Sequence, residues 1–227
     1  MAVSTIPKHV AIIPDGNRRW AKLKGRPTAF GHAEGYKRIR ECITYARSVG
    51  VEVVTVWVFS TENWKRKQEE IVDLMDLIVK GLSKLHRDAK KEKSRLVHIG
   101  RRDRLGSKVI KLIDTVEEET KDYKGFTLCL AIDYGGEDEV ARAEGRKLRG
   151  ESRMQELKQY LDTSFHNIPN PDLIIRTGGE QRTSGFMPLQ SAYAEWIFEE
   201  TLFPDFDTKV FQKAIDDYAT RSRRFGK

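Results

Sequence analysis

The chain has few of the features that mark several protein classes. Only two of its 227 residues are cysteine. Cys42 and Cys129 lie far apart in apolar runs, which gives neither a disulfide framework nor a thiolate metal or redox motif and predicts a reduced, cytoplasmic setting. No run approaches the roughly 20 apolar residues of a membrane span. The opening MAVSTIPKHV lacks a signal-type apolar stretch. A soluble protein is therefore expected, attached to a membrane at most peripherally. There is no internal repeat, low-complexity tract or linker rich in proline and glycine, so one domain is expected over residues 1–227. The five histidines show no mutual metal spacing, and His9, His86, His98 and His166 are read as structural. What the chain does have is charge: 33% of residues are charged and the net charge is +7. That balance admits nucleic acid, an anionic membrane surface or small phosphorylated substrates as partners. The basic stretch from Lys84 to Arg104 alternates with apolar positions, as a solvated helix face does, so nucleic acid is not expected.

Short apolar runs alternate with amphipathic ones. Strands are expected at His9–Ile13, Val53–Phe59, Leu96–Ile99, Thr127–Ile132 and Leu173–Ile175. Helices are expected at about Gly31–Val49, Gln68–Glu92, Ser107–Lys121, Glu137–Leu161 with a break near Gly150, and Thr208–Arg224. Runs of Val, Ile and Leu separated by helices predict an α/β fold with a mainly parallel sheet covered on both faces. In such sheets ligands bind beyond the carboxyl ends of the strands, where three polar segments are expected to meet.

The first segment is Asp15-Gly16-Asn17-Arg18-Arg19-Trp20. Gly16 frees the turn, its amides can face an anion, and a helix starting near Asn17 adds a positive end. Arg18 and Arg19 suit phosphate oxygens. Asp15 repels an anion unless a divalent cation lies between them, as Mg²⁺ does when it takes one or two carboxylates plus phosphates. A capped turn with solvated arginines fits the same residues. The second segment, Ser60-Thr61-Glu62-Asn63-Trp64-Lys65-Arg66, offers hydrogen-bonding groups, a flat apolar wall and a guanidinium, though a helix cap explains Ser60, Thr61 and Asn63 as well. The third runs from Arg176 through Gly178 and Gly179 to Arg182, Thr183 and Ser184, where two arginines could clamp a second diphosphate. His32 could donate to a phosphate or serve as a satisfied capping histidine. Glu195 is an acid among apolar residues, which calls for a partner or a metal.

Taken together, the stretches HVAIIPDGNRRWAK, GHAEGYKRI, FSTENWKR, DYGG at 133–136, PDLIIRTGGEQR, QSAYAEWIF, LFPDF and RSRRFG run in order along nearly the whole chain. In them the chain resembles the cis-prenyltransferases, the (Z)-isoprenyl diphosphate synthases. The resemblance implies an apolar product tunnel beside the sheet, a homodimer, and condensation of isopentenyl diphosphate with an allylic diphosphate (farnesyl, geranyl or geranylgeranyl) to give cis double bonds. It places Mg²⁺ on Asp15 with help from Glu195. The allylic diphosphate falls to Gly16, Asn17, Arg18, Arg19, Trp20 and His32. Substrate positioning and proton removal fall to Ser60, Thr61, Glu62, Asn63, Trp64 and Arg66, Asn63 foremost, and isopentenyl diphosphate to Arg176, Arg182, Thr183 and Ser184. Thr28 stands where the family commonly has arginine, and Arg26 is expected to take over that contact. Val58, Phe126 and Ile132 stand where long-chain members often carry smaller residues, which implies a short or medium product. Release of a lipid product fits a peripheral membrane contact. Two other readings are a non-catalytic partner subunit on the same fold and a synthase joining two short allylic diphosphates into a branched product.

Overall fold

The computed structural model describes residues 6–146 and 154–221. Six strands, β1 (His9–Ile13), β2 (Val53–Ser60), β3 (Arg95–Ile99), β4 (Thr127–Tyr134), β5 (Leu173–Arg176) and β6 (Glu195–Phe198), form one sheet in the order β3-β4-β2-β1-β5-β6. Every pairing is parallel. All five residues of β1 are buried, because helices cover both faces. Alternate residues serve two cores. Val10, Ile12, Val54, Val56, Leu130 and Ile175 join one, and Ala11, Ile13, Cys129, Ala131 and Ile174 the other.

The helices are α1 (Asn17–Leu23), α2 (Thr28–Ser48), α3 (Gln68–Glu92), α4 (Ser107–Thr120), α5 (Gly136–Arg146), α6 (Met154–Gln159), α7 (Asp162–Phe165) and α8 (Thr208–Thr220). The long third helix buries Ile71, Leu74, Ile78, Leu82, Leu85 and Ala89, an apolar stripe at spacings of three and four. Asp207 caps α8 by accepting from the Lys209 and Val210 amides.

Compared with the expected elements, α3 starts and ends as anticipated. The second strand runs on to Ser60, the fourth to Tyr134 and the fifth to Arg176. These extensions end in polar residues that periodicity reads as loop. β6 was not anticipated: its four half-buried residues alternate too briefly to stand out, and pairing with β5 makes them a strand. The last helix stops at Thr220, short of Arg224. The expected break near Gly150 lies outside the described residues, as does most of RSRRFG.

The connectivity has one switch point. From β1 the chain moves toward β2, β3 and β4 on one side and later toward β5 and β6 on the other. The crevice beyond the carboxyl ends of β1 and β5 is where such a sheet binds ligands.

Candidate active site

Asp15 leaves β1 and Arg176 ends β5, side by side at the switch point. The Arg176 Nη2 donates to Asp15 Oδ2 at 2.9 Å, and its Nη1 donates to Ser184 Oγ at 2.8 Å and to the Arg182 carbonyl at 2.5 Å. Arg176 is 6% exposed and Asp15 33%, so the pair forms a floor with one carboxylate edge open. Arg19 lies 3.5 Å from Asp15 and 3.4 Å from Glu180, which also binds Arg182. The first and third polar segments therefore share one hydrogen-bonded network.

Local sequence sets this geometry. Gly16 has a φ of +107°, and a Cβ there would meet Leu202 at 2.8 Å, so only glycine makes the turn out of β1. Asn17 then folds back, donating from Nδ2 to the Pro14 carbonyl at 2.8 Å. Its side chain lies so close to α2 that a Cβ on Gly35 would meet Asn17 Oδ1 at 2.1 Å. Thr177 Oγ1 donates to the Asp15 carbonyl at 2.8 Å and ties the two turns together.

A polar basin of about 720 Å³ opens here, lined by Asp15, Gly16, Asn17, Arg18, Arg19 and Lys22 with Arg26, Thr28, His32 and Arg66. Arg26 and Thr28 thus face the same space. Arg66 is what the second segment contributes to this lining. It donates to Glu70 at 2.9 Å, and the same carboxylate oxygen lies 3.7 Å from both Arg18 and His32. Burial, and next the Arg66 guanidinium, lower the His32 pKa, which favours the neutral imidazole. Asn17 Oδ1, His32 Nε2 and Arg176 Nε are buried without a hydrogen-bond partner, an arrangement that binding sites tolerate and ordinary cores avoid.

Pro14, Asn17 and His32 also line a narrow apolar slot between the sheet, α2 and α3. The slot holds about 80 Å³ and is walled by Tyr36, Val58, Leu74, Ile78, Leu85 and Ile132 among others. Tyr36 spans it, its hydroxyl donating to the Gly81 carbonyl at 3.0 Å. Val58 and Ile132 are on the wall as expected. Phe126 is not. It lines a separate cleft with Arg40, Leu85 and Asp88, because it precedes β4 and so sits at the opposite end of the sheet.

Other expected site residues are placed elsewhere. Ser60 and Asn63 form a capping box, with Asn63 Oδ1 accepting the Ser60 amide at 3.1 Å. Thr61 donates to Glu62 at 2.9 Å. Trp64 packs on Phe59 and donates to Asp133 Oδ1 at 2.8 Å. Trp20 stacks on Phe30 rather than lining the basin. Arg182 and Thr183 are exposed on the loop after β5. Glu195 opens β6 opposite Leu173, three residues and so about 10 Å from the Arg176 end. Its carboxylate takes Arg221 at 3.1 Å. One chain does not bring Glu195 to Asp15. Sequence reading missed Glu70 and Glu180, which neutralise the arginines, and Asp133, which is buried, bound to Arg104 and anchors Trp64. The four-residue spacing from Arg66 to Glu70 was the available signal.

His9 and His98 are structural. His9 Nδ1 donates to the Pro169 carbonyl at 2.7 Å while Nε2 meets Thr55 Oγ1 at 2.7 Å, and His98 Nε2 donates to the Ile132 carbonyl at 2.9 Å. Burial pulls both down to about 4.

A family described as "Putative undecaprenyl diphosphate synthase" matches residues 13–226. An isoprenyl transferase of Fusobacterium nucleatum is 43% identical over 97% of this chain and 96% of its own. The chain belongs to the cis-prenyltransferase family. An isoprenyl transferase of Aquifex pyrophilus is 42% identical over 98% of this chain and 96% of its own. The fold is similar to that of lavandulyl diphosphate synthase from Lavandula x intermedia, solved with dimethylallyl diphosphate. There the TM-score is 0.94 at 31% identity, covering 99% of this chain and all of that one. It is also similar to a probable undecaprenyl diphosphate synthase from Campylobacter jejuni, with a TM-score of 0.83 at 34% identity over 97% and 99% of the chains. These relatives are named as isoprenyl transferases and prenyl diphosphate synthases, which supports a prenyltransferase enzyme.

Proposed function

We propose that the protein condenses isopentenyl diphosphate with an allylic diphosphate, forming a cis double bond and releasing diphosphate, with a short or medium product. The observation that carries this reading is a cationic basin beside the Asp15–Arg176 pair that meets an apolar slot at Pro14, Asn17 and His32. A diphosphate in the basin meets Arg18, Arg19, Arg26, His32 and Arg66, and its hydrocarbon tail points into the slot. Arg176, Arg182 and Ser184 hold the diphosphate of the second substrate, so its alkene is fixed against the allylic carbon.

Asp15 suits Mg²⁺ that arrives with the diphosphate. Among the described residues no cluster of three or more His, Cys, Asp or Glu forms a protein cage, and magnesium at phosphates typically takes only one or two carboxylates. When bound, it neutralises charge building on the departing diphosphate. The guanidiniums stabilise that same charge without reorganising. The allylic C–O bond breaks, the alkene of the second substrate closes the new C–C bond, and a proton leaves that substrate. Asn63, its Oδ1 engaged by Ser60, acts through its amide nitrogen on a diphosphate oxygen, and the departing diphosphate takes the proton. The working form in this reading is a cytoplasmic homodimer. A metal role for Glu195 requires a second copy of the chain, because its own Asp15 is out of reach.

A second reading, condensation of two short allylic diphosphates, draws support from the fold likeness to the dimethylallyl diphosphate-bound synthase. The test is purified protein with labelled isopentenyl diphosphate and primers of different length, with and without chelator. Magnesium-dependent cis products shorter than C55 are expected. Predominantly C55 or longer chains overturn the product length. Turnover of dimethylallyl diphosphate alone selects the second reading, and turnover only with an added subunit selects a partner role.

A further inference from the structure

The corner between α1 and α2 carries apolar surface, and two lysines beyond the arginines that the condensation uses. From Gly16 to Ala33 the sequence holds five cations, Arg18, Arg19, Lys22, Lys24 and Arg26, and no acid. Residues 22–27 are exposed without interruption. Within them Leu23 is 77% exposed, more than any other large hydrophobic side chain among the described residues, and Phe30 nearby is 40% exposed. The aromatics here are layered with cations. Trp20 stacks on Phe30 at 6.0 Å, Lys24 Nζ lies 5.8 Å over the Trp20 ring, and the Arg26 guanidinium lies 5.5 Å over Phe30. Elsewhere on the surface, arginines such as Arg40 and Arg47 have an acid beside them, Asp88 and Glu92. Among the described residues, Lys22, Lys24 and Arg26 have no ion-pair partner within 4.0 Å.

We propose that this corner docks on an anionic lipid bilayer, with Leu23 and Phe30 entering the headgroup–acyl boundary and Lys22 and Lys24 meeting lipid phosphates. An exposed apolar tip ringed by unpaired cations matches that boundary in both polarity and charge. Aromatic rings and long basic side chains settle at headgroup level, the stems lying along apolar surface. No described helix is long and apolar enough to cross a membrane, so the contact is peripheral. A free phosphate would satisfy the cations but gives no reason for Leu23 to face water. Lys22 and Arg26 also line the diphosphate basin, so docking places the basin beside the headgroups, where an apolar-tailed product leaves. That benefit rests on the proposed activity, while the surface itself does not.

The experiment is co-sedimentation of the full chain, without substrate, on vesicles of phosphatidylcholine mixed with phosphatidylglycerol and on pure phosphatidylcholine vesicles. Binding to the anionic vesicles alone is expected. Leu23→Ser should weaken it about tenfold or more, the loss of one buried leucine, and Lys24→Ala about fivefold, the loss of one cation near an anionic surface. Turnover of short soluble substrates by Leu23→Ser should match the parent protein, and its circular dichroism melt should not shift. Equal vesicle binding by Leu23→Ser and the parent overturns the proposal, as does binding that ignores lipid charge. A lower particle mass for Leu23→Ser in light scattering also overturns it, making the corner a contact between copies. Vesicle binding without turnover leaves the docking surface standing and overturns the condensation reading instead.

Discussion

Leu85 separates two spaces, and shortening it tests whether the slot sets product length. The side chain is buried and lines both the 80 Å³ slot and the 240 Å³ cleft beyond it. A cavity of about 150 Å³ holds one benzene ring, so the slot takes only part of a five-carbon unit before its walls must shift. Leu85→Ala joins the two spaces and makes the continuous volume about four times that of the slot. That is room for about two further five-carbon units on the same scale. The substitution also costs about 2–5 kcal/mol of stability, as leucine-to-alanine changes in cores do, so the melt must be recorded first. The assay is mass-resolved product analysis with one fixed primer at temperatures where both proteins are folded. A longer mean product, by about two units, is expected. A folded variant with an unchanged product distribution would refute the idea that Leu85 ends the tunnel.

Asp15→Asn keeps an acceptor for Arg176 but loses the charge that suits magnesium. Turnover should fall at least a hundredfold at temperatures where the melt shows the variant folded, and activity within tenfold of the parent contradicts the assignment. Arg176→Lys removes the fork that meets Asp15 and Ser184 together, so the KM for isopentenyl diphosphate should rise more than that for the primer; steady-state kinetics with each substrate varied decides. Gly35→Ala puts a methyl 2.1 Å from Asn17 Oδ1, so α1 must move off α2 and primer affinity should drop, measurable by calorimetry with a non-reacting diphosphate. His9 and His98 have folded pKa values of about 4 against 6.5 when unfolded. The unfolded chain therefore binds more protons between those values. Their contribution is complete above pH 6.5 and is lost as pH falls toward and below 4, about 3 kcal/mol for each histidine. Urea titrations across that range should show stability rising with pH, and a flat profile contradicts the buried-neutral assignment.

The parallel α/β class was legible because both signals are local. The unbroken apolar runs of His9–Ile13 and Leu173–Ile175 require cover on two faces, and the stripe of α3 follows the helical period. The three polar segments were legible as strand ends, which in this fold class lie on one rim. Phe126 shows where that reasoning fails. It is next to β4 in sequence, but at the end of the strand away from the rim, and sequence adjacency does not say which end of a strand a cavity reaches. Ser60 and Asn63 fit a cap and a substrate contact equally well from sequence; the fold makes the cap through Asn63 Oδ1, which leaves the amide nitrogen to the proposed contact.

By itself the sequence determined which residue types stand at the strand ends, since charge type and a glycine turn are properties of individual positions. Tertiary structure decided which of them act together. Strand order set Arg176 against Asp15 across 161 residues of chain, because β5 pairs directly with β1. It also held Glu195 at the far end of its strand and left Leu23 facing outward. Contacts between distant segments depend on strand pairing and helix packing, and no local pattern encodes those distances.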